Sequence, residues 1–229
     1  MEMTVREGTP VRGVIFDKDG TLHDTKALYG AALRQTLSRL EEQGFSVPAD
    51  QSDDRFARYL GVNARDMWND FMPALPAEIK EECSRQTGEQ MIREIRAGRA
   101  RLYPGVPEVL RQLAESGYHS VILSNCKVPY MDAQREHFHL DRRLEGFYCS
   151  GAYGFCPKEE IFPEIRKKFP GGFCMVGDRA SDRQVSVVHG IPFVGCEYGF
   201  GTREELEGAD ALLSDIRELP EVLAQWNRE

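Results

Sequence analysis

Four short stretches of this chain hold the side chains that could do chemistry. Asp17-Lys18-Asp19-Gly20-Thr21 sets two carboxylates two positions apart. Ser124-Asn125 supplies a hydroxyl and an amide, and Lys158 an ammonium. Gly177-Asp178 through Asp182 adds two further carboxylates. A close pair of carboxylates suits one covalent and one proton-transfer task. Carboxylate and carbonyl oxygens are also the ligands that a hard cation such as Mg2+ takes. In extended chain, residues i and i+2 point to the same side. Asp17 and Asp19 are therefore expected to project together, with Lys18 pointing away and Gly20 allowing a tight exit. Each stretch alone has an ordinary reading. Asp-Gly and Ser-Asn are common turns, Lys158 could be a solvated helix residue, and Asp178 could cap a helix. Their order, and what precedes each of them, argues for a shared site.

What precedes them is a series of short apolar runs. Val11 to Phe16 leads into Asp17, and Ser120 to Leu123 leads into Ser124. Phe147 to Cys149 lies upstream of Lys158, Phe173 to Val176 leads into Gly177, and Ile191 to Val194 is a fifth run. Continuous apolar runs fit strands buried on both faces, as in a parallel sheet. Helical patterns separate them. Val106 to Ser116 carries Val109, Leu110 and Leu113 on one face and stops at Gly117. Glu159 to Phe169 carries Ile161, Phe162, Ile165 and Phe169. Ser181 to His189 carries Val185, Val187 and Val188 and closes at Gly190. Alternating strand and helix predicts an open α/β fold. Such sheets place their sites at the carboxyl ends of the strands, where these polar residues cluster.

One region breaks the alternation. From Thr25 to Gly98 only helical patterns occur. Leu28, Ala31, Ala32, Leu37 and Leu40 line one helix, ended at Gly44. Asp53 to Leu60 and Asp66 to Phe71 suggest two more. Pro76 opens a fourth, running through Ile79, Cys83, Met91 and Ile95. The expected layout is an α/β core from residues 1–24 and 99–229, with an all-helical domain of residues 25–98 between linkers near 22–26 and 98–104.

Composition bounds the functions. The chain has 229 residues, 41% hydrophobic and 29% charged, which is ordinary globular composition. A net charge of −8 disfavours general binding to nucleic acid or anionic membranes. No apolar run is long enough to span a bilayer. Met1 to Glu7 lacks an apolar stretch, so no secretory leader is expected there. Cys83, Cys126, Cys149, Cys156, Cys174 and Cys196 form no CxxC pair, and no His stands at zinc-finger spacing from them. They read as reduced thiols of a cytoplasmic protein, expected to be a monomer or weak dimer.

The four ordered stretches resemble the motifs of the haloacid dehalogenase superfamily, in its phosphatase branch. The DxDGT element is Asp17 to Thr21, the second motif Ser124, the third Lys158, and the fourth, GDxxxD, Gly177-Asp178 to Asp182. The tail from Tyr198-Gly199-Phe200-Gly201 to Leu206 is similar to the ending of phosphoglycolate-phosphatase relatives. The helical insert is similar to the family's cap. The resemblance implies a Rossmann-like open parallel-sheet core with helices on both faces, plus an inserted all-helical cap. It implies Mg2+-dependent hydrolysis of a small phosphorylated metabolite, a phosphate monoester, through an aspartyl-phosphate. Asp17 would be the nucleophile and Asp19 the general acid and base. Ser124, Asn125, Gly20 and Thr21 would bind the phosphoryl group, with Lys158 offsetting its charge. Asp178, Asp17 and the Asp19 backbone carbonyl would hold Mg2+, and Asp182 would complete the set. A sugar phosphomutase sharing the aspartyl-phosphate, or a non-catalytic phosphate-ligand binder, are the alternatives. Tyr29 stands where mutases such as β-phosphoglucomutase carry a cap-entry His, which argues against the first. Retention of Asp17, Asp19 and Asp178 argues against the second. Pro157 precedes Lys158 and Glu159-Glu160 follow it, whereas many relatives have a Pro-x-Pro run after the lysine.

Other features point less sharply. His137 and His139 form an HxH pair with no carboxylate or Cys at ligand spacing. Arg93, Arg96, Arg99 and Arg101 read as a solvated basic face, or as a field drawing in an anionic substrate. Tyr29, Arg65, Trp68 and Tyr103 could either pack or touch substrate.

Overall fold

Five of the apolar runs become strands. The computed structural model describes residues 10–62 and 64–228; the reading of Met1 to Glu7 lies outside them. β1 (Val11–Phe16), β2 (His119–Ser124), β3 (Gly146–Cys149), β4 (Gly172–Gly177), β5 (Phe193–Cys196) and β6 (Ala211–Leu213) form one sheet in the order β3-β2-β1-β4-β5-β6. Every pairing is parallel. The strand order reverses about β1 and β4, the place where such sheets open a crevice. Successive strand residues alternate between faces. Val14 and Phe16 pack with Ile122, Leu110 and Leu223 on one side. Ile15 packs with Ile161, Phe162 and Val185 on the other.

The first of these faces is covered by α5 (Val106–Glu115), α6 (Val128–His137) and α9 (Leu219–Trp226), the second by α7 (Lys158–Lys168) and α8 (Ala180–His189). Pro163 inside α7 has no N–H to give the Glu159 carbonyl. That carbonyl instead accepts from His189 Nε2 at 2.6 Å. The missing helix bond is thus replaced by a tie to α8. On α8 the buried residues are Asp182, Val185 and Ser186. Val187 and Val188, expected on the apolar face, are 65% and 52% exposed. At 100° per residue they fall off the stripe that meets the sheet.

The remaining helices are α1 (Lys26–Glu42), α2 (Asp53–Ala57), α3 (Ala64–Phe71) and α4 (Ala77–Arg96). They share their own apolar cluster, including Leu33, Leu37, Phe56, Trp68 and Ile95. Tyr130 and Ala133 of α6 join that cluster, so α6 carries these helices on the sheet. Among the described residues no helix is long and apolar enough to cross a membrane. All six cysteines are free.

Candidate active site

At the carboxyl end of β1 the Asp17 N–H still donates to the Val176 carbonyl, at 2.8 Å. The chain then turns sharply: the N–H groups of Leu22 and His23 both donate to the Lys18 carbonyl, each at 2.9 Å. Gly20 sits in this turn at φ 94°, pressed against the Asp178 carboxylate, where a Cβ has neither the conformation nor the room.

Asp17 faces β4 and α7. Its Oδ1 accepts from Lys158 Nζ at 2.6 Å, and the same ammonium donates to Asp182 Oδ1 at 2.6 Å. Asp182 Oδ2 accepts from the Arg179 N–H at 3.0 Å, closing the first turn of α8. Asp178 accepts from Thr21 Oγ1 at 3.1 Å and from the Phe200 N–H at 2.7 Å. Gly199 and Gly201 flank that donor, and a Cβ on either would overlap Asp178. Tyr198 Oη donates to the Thr21 carbonyl at 2.9 Å, which ties this loop to the turn after β1. Asp17, Asp178 and Asp182, all buried, bring carboxylate oxygens within 4.8 Å of one another.

Burial pushes the Asp17 carboxyl up to about 7, with Asp182 and Asp19 adding to the rise against the pull of Lys158. Burial, with Asp17 and Asp182 beside it, likewise holds Asp178 well above the carboxylate range. Burial alone would discharge Lys158, but Asp17 and Asp182 keep it charged above the ordinary lysine range. The cluster therefore has more carboxylates than cations to neutralise them. A compact, all-oxygen, electron-rich donor set of this kind fits a hard divalent ion such as Mg2+.

Asp19 lives in different surroundings. Its Oδ1 accepts from Thr25 Oγ1 at 2.6 Å and Tyr130 Oη at 3.0 Å, and lies 3.0 Å from His23 Nδ1. Gln134 Nε2 is 3.4 Å away. Thr25 starts α1 without capping it, because its hydroxyl is turned to Asp19. Burial works against ionisation here, but the Lys18 ammonium and the bonds from His23 and Thr25 hold Asp19 well below the carboxylate range.

Lys18 corrects the expectation that it points away. It is 1% exposed, with Nζ 3.3 Å from Asp19 Oδ2 and 3.7 Å from the centre of the Tyr130 ring. The strand's alternation ends where its pairing ends, and the turn folds Lys18 inward. The carboxylate of Asp19 is not part of the three-carboxylate cluster. Gly20 and Thr21, expected at the phosphoryl group, have their donors committed elsewhere. Their N–H groups bond within the turn, and the Thr21 hydroxyl bonds Asp178. Both support the site from beneath.

Asp17, Asp19, Ser124 and Asn125 line a cavity of about 150 Å3 between the carboxyl end of the sheet and α1, α3 and α4. Ser124 is buried at its floor, and Asn125 Nδ2 lies 3.5 Å from the Gly61 carbonyl. Arg179 Nη1 donates to the Leu60 carbonyl at 2.8 Å, a second tie from the carboxyl end of the sheet to the segment after α2. Tyr29 and Trp68 line this cavity, whereas Arg65 and Tyr103 do not. Arg93, Arg96, Arg99 and Arg101 are exposed and lie outside its lining. Sequence reading missed His23, Thr25, Tyr130 and Gln134 around Asp19. A polar His23-Asp24-Thr25 stretch where a helix begins was the available signal.

Strand order, parallel pairing and carboxylates at the ends of β1 and β4 place the molecule among the Rossmann-like α/β proteins with a site at the switch point. Residues 11–185 match the haloacid dehalogenase-like hydrolases, and the chain belongs to that family. It is 27% identical over 207 residues to the phosphoglycolate phosphatase of Agrobacterium fabrum, covering 86% of this chain and 84% of that one. It is 25% identical over 197 residues to a 5'-nucleotidase of Pseudomonas aeruginosa, covering 84% and 86%. A crystal structure of a predicted phosphatase from Clostridium acetobutylicum superposes with a TM-score of 0.79. That likeness, at 20% identity over 94% of this chain and 99% of the other, is one of fold. The molecule is thus a hydrolase with phosphatase-named relatives.

Proposed function

We propose that this hydrolase is a Mg2+-dependent phosphatase acting on a small phosphate monoester through an aspartyl-phosphate on Asp17. One observation carries the reading. Asp17 stands buried on the cavity floor, oriented by Lys158 at 2.6 Å and clustered with Asp178 and Asp182. Asp17, Asp178, Asp182 and the Asp19 backbone carbonyl would hold Mg2+. When bound, the ion would screen a carboxylate from the phosphate dianion it must approach.

Attack by a carboxylate oxygen of Asp17 on phosphorus forms the O–P bond of an acyl phosphate and breaks the bond from phosphorus to the leaving oxygen. Ser124 donates to a phosphoryl oxygen, with Asn125 beside it at the rim. Lys158 balances Asp17 and Asp182, so the nucleophile keeps its orientation as charge moves. Asp19 supplies the proton that the leaving alkoxide takes up, then removes one from the water that cleaves the acyl phosphate. Its resting preference is for the ionised form. A phosphate dianion entering the same cavity adds like charge and raises its proton affinity. In this reading residues 1–24 and 99–229 are the catalytic core and residues 25–98 a cap over the cavity that excludes bulk water. The free thiols suit a cytoplasmic enzyme.

The test is phosphate release from a panel of esters, with Mg2+ and with EDTA, using Asp17→Asn as control. Metal-dependent release that vanishes in Asp17→Asn supports the assignment. A variant with wild-type turnover removes Asp17 as the nucleophile.

A further inference from the structure

Granting the phosphatase reading, the cavity also says what kind of alcohol leaves. Beyond its floor its walls are mostly apolar, with Leu60, Val62, Met67, Trp68 and Met91 among them. Among the described lining residues the one cation is Lys127, an exposed side chain that donates to Ser84 Oγ at 3.3 Å. The basic run at the end of α4 is turned outward, with Arg99 paired to Glu94 and Arg93 bonded to Gln90. At the floor, Asp17 and Asp19 contribute negative charge. A leaving group bearing a carboxylate or a second phosphate would find there only the exposed, solvated Lys127, whose attraction is too weak to offset the burial of an anion. A polyhydroxylated one would strand its hydroxyls, because the wall offers few free polar atoms. The Thr87 hydroxyl is engaged with Thr36 at 2.9 Å, and Ser84 with Lys127.

At the cavity edge Phe155 is 57% exposed and held at φ 62°, a conformation that side chains other than glycine rarely adopt. An exposed aromatic in a strained backbone, lining the cavity, is a surface that an apolar ligand would cover.

We propose that the alcohol this enzyme releases is uncharged and apolar. The test compares kcat/KM for ethyl phosphate, phenethyl phosphate, phosphoglycolate and a hexose phosphate, all with Mg2+. Ethanol and phenethanol are similarly poor leaving groups, so their comparison reads binding rather than intrinsic reactivity. Phenethyl phosphate is expected to exceed ethyl phosphate by at least about tenfold, and the charged and polyhydroxylated esters by about a hundredfold. Phe155→Ser, at an exposed position, should shrink the phenethyl-to-ethyl ratio severalfold. Met67→Lys should shift preference toward phosphoglycolate. Turnover that is lost in Asp17→Asn but favours phosphoglycolate or the hexose phosphate overturns the leaving-group assignment alone. No metal-dependent release from any ester overturns the phosphatase reading, and this inference with it.

Discussion

Replacing Asp17 by Asn should stabilise the metal-free protein while abolishing its turnover. The carboxyl is buried and titrates at about 7 rather than 3.8, chiefly because burial disfavours its charge. At 1.36 kcal/mol per pH unit, (7 − 3.8) × 1.36 gives a ceiling of about 4 kcal/mol against the ionised form at pH 8. The sign follows from the direction of the shift. The folded chain holds a proton that the unfolded chain has lost, so this contribution to stability is complete below pH 3.8 and disappears as pH rises through about 7. Asn lacks that titration. Its amide oxygen can still accept from Lys158, but its NH2 group needs a partner of its own in the buried cluster, which forfeits part of the gain. About half of the ceiling, ~2 kcal/mol, should survive at pH 8, raising Tm by about 4–8 °C for a chain of this size. The gain should vanish near pH 4. Thermal unfolding in EDTA, followed by circular dichroism at three pH values across this window, reads it directly. A variant no more stable than wild type at pH 8, or one equally stabilised at pH 4, would refute the argument that burial strains the Asp17 carboxylate.

Two further outcomes are expected. Because Asp17 titrates at about 7 in the metal-free state, with Asp178 also raised by burial, Mg2+ must displace a proton at pH 6, and affinity should rise by up to about tenfold per unit per proton displaced as pH rises toward 7 and level off above it. Calorimetry in two buffers of different ionisation enthalpy checks this, since proton release makes the two apparent enthalpies differ; equal enthalpies would sink it. Gly201→Ala should displace Asp178 and raise the Mg2+ concentration for half-maximal activity by at least about tenfold, with far-UV circular dichroism retained. An unchanged metal titration would show that the loop does not position Asp178.

Much of the sheet was legible because its central strands are buried on both faces and spell continuous apolar runs. β1 occupies the residues its pattern marks, Val11 to Phe16. The fifth run was read as Ile191 to Val194, yet β5 is Phe193–Cys196. Pro192 has no N–H for a ladder, and Gly195 and Cys196 extend the strand by pairing with β6. β6 itself is three residues long with Leu212 half exposed, too little pattern to see. α6 was missed for the opposite reason. It is buried on two sides, against the sheet and against α4, and one of its buried residues is Gln134. A helix sandwiched in this way shows no single apolar stripe.

The site divides along a different line. Its charged residues announce themselves, because carboxylates at strand ends have few structural reasons to be there. The groups that set their behaviour do not, since each arrives from another element. Asp19 is held by Lys18 and His23 of the turn, Thr25 of the helix start, and Tyr130 and Gln134 from more than a hundred residues away. Asp178 depends on one backbone N–H at Phe200 and on two glycines whose missing side chains let it approach. These contacts give the two carboxylates of one five-residue motif opposite tendencies. Asp17 lies in a cluster short of positive charge and is driven toward the neutral form, whereas Asp19 is crowded with donors and driven toward the ionised form. A cation among Asp17, Asp178 and Asp182 would make Asp17 a carboxylate ready to attack. A phosphate dianion beside Asp19 would raise its affinity for the proton it must hand on. On the proposed mechanism, the cation and the phosphate dianion would each reverse one of these tendencies, and together they would make the pair nucleophile and acid.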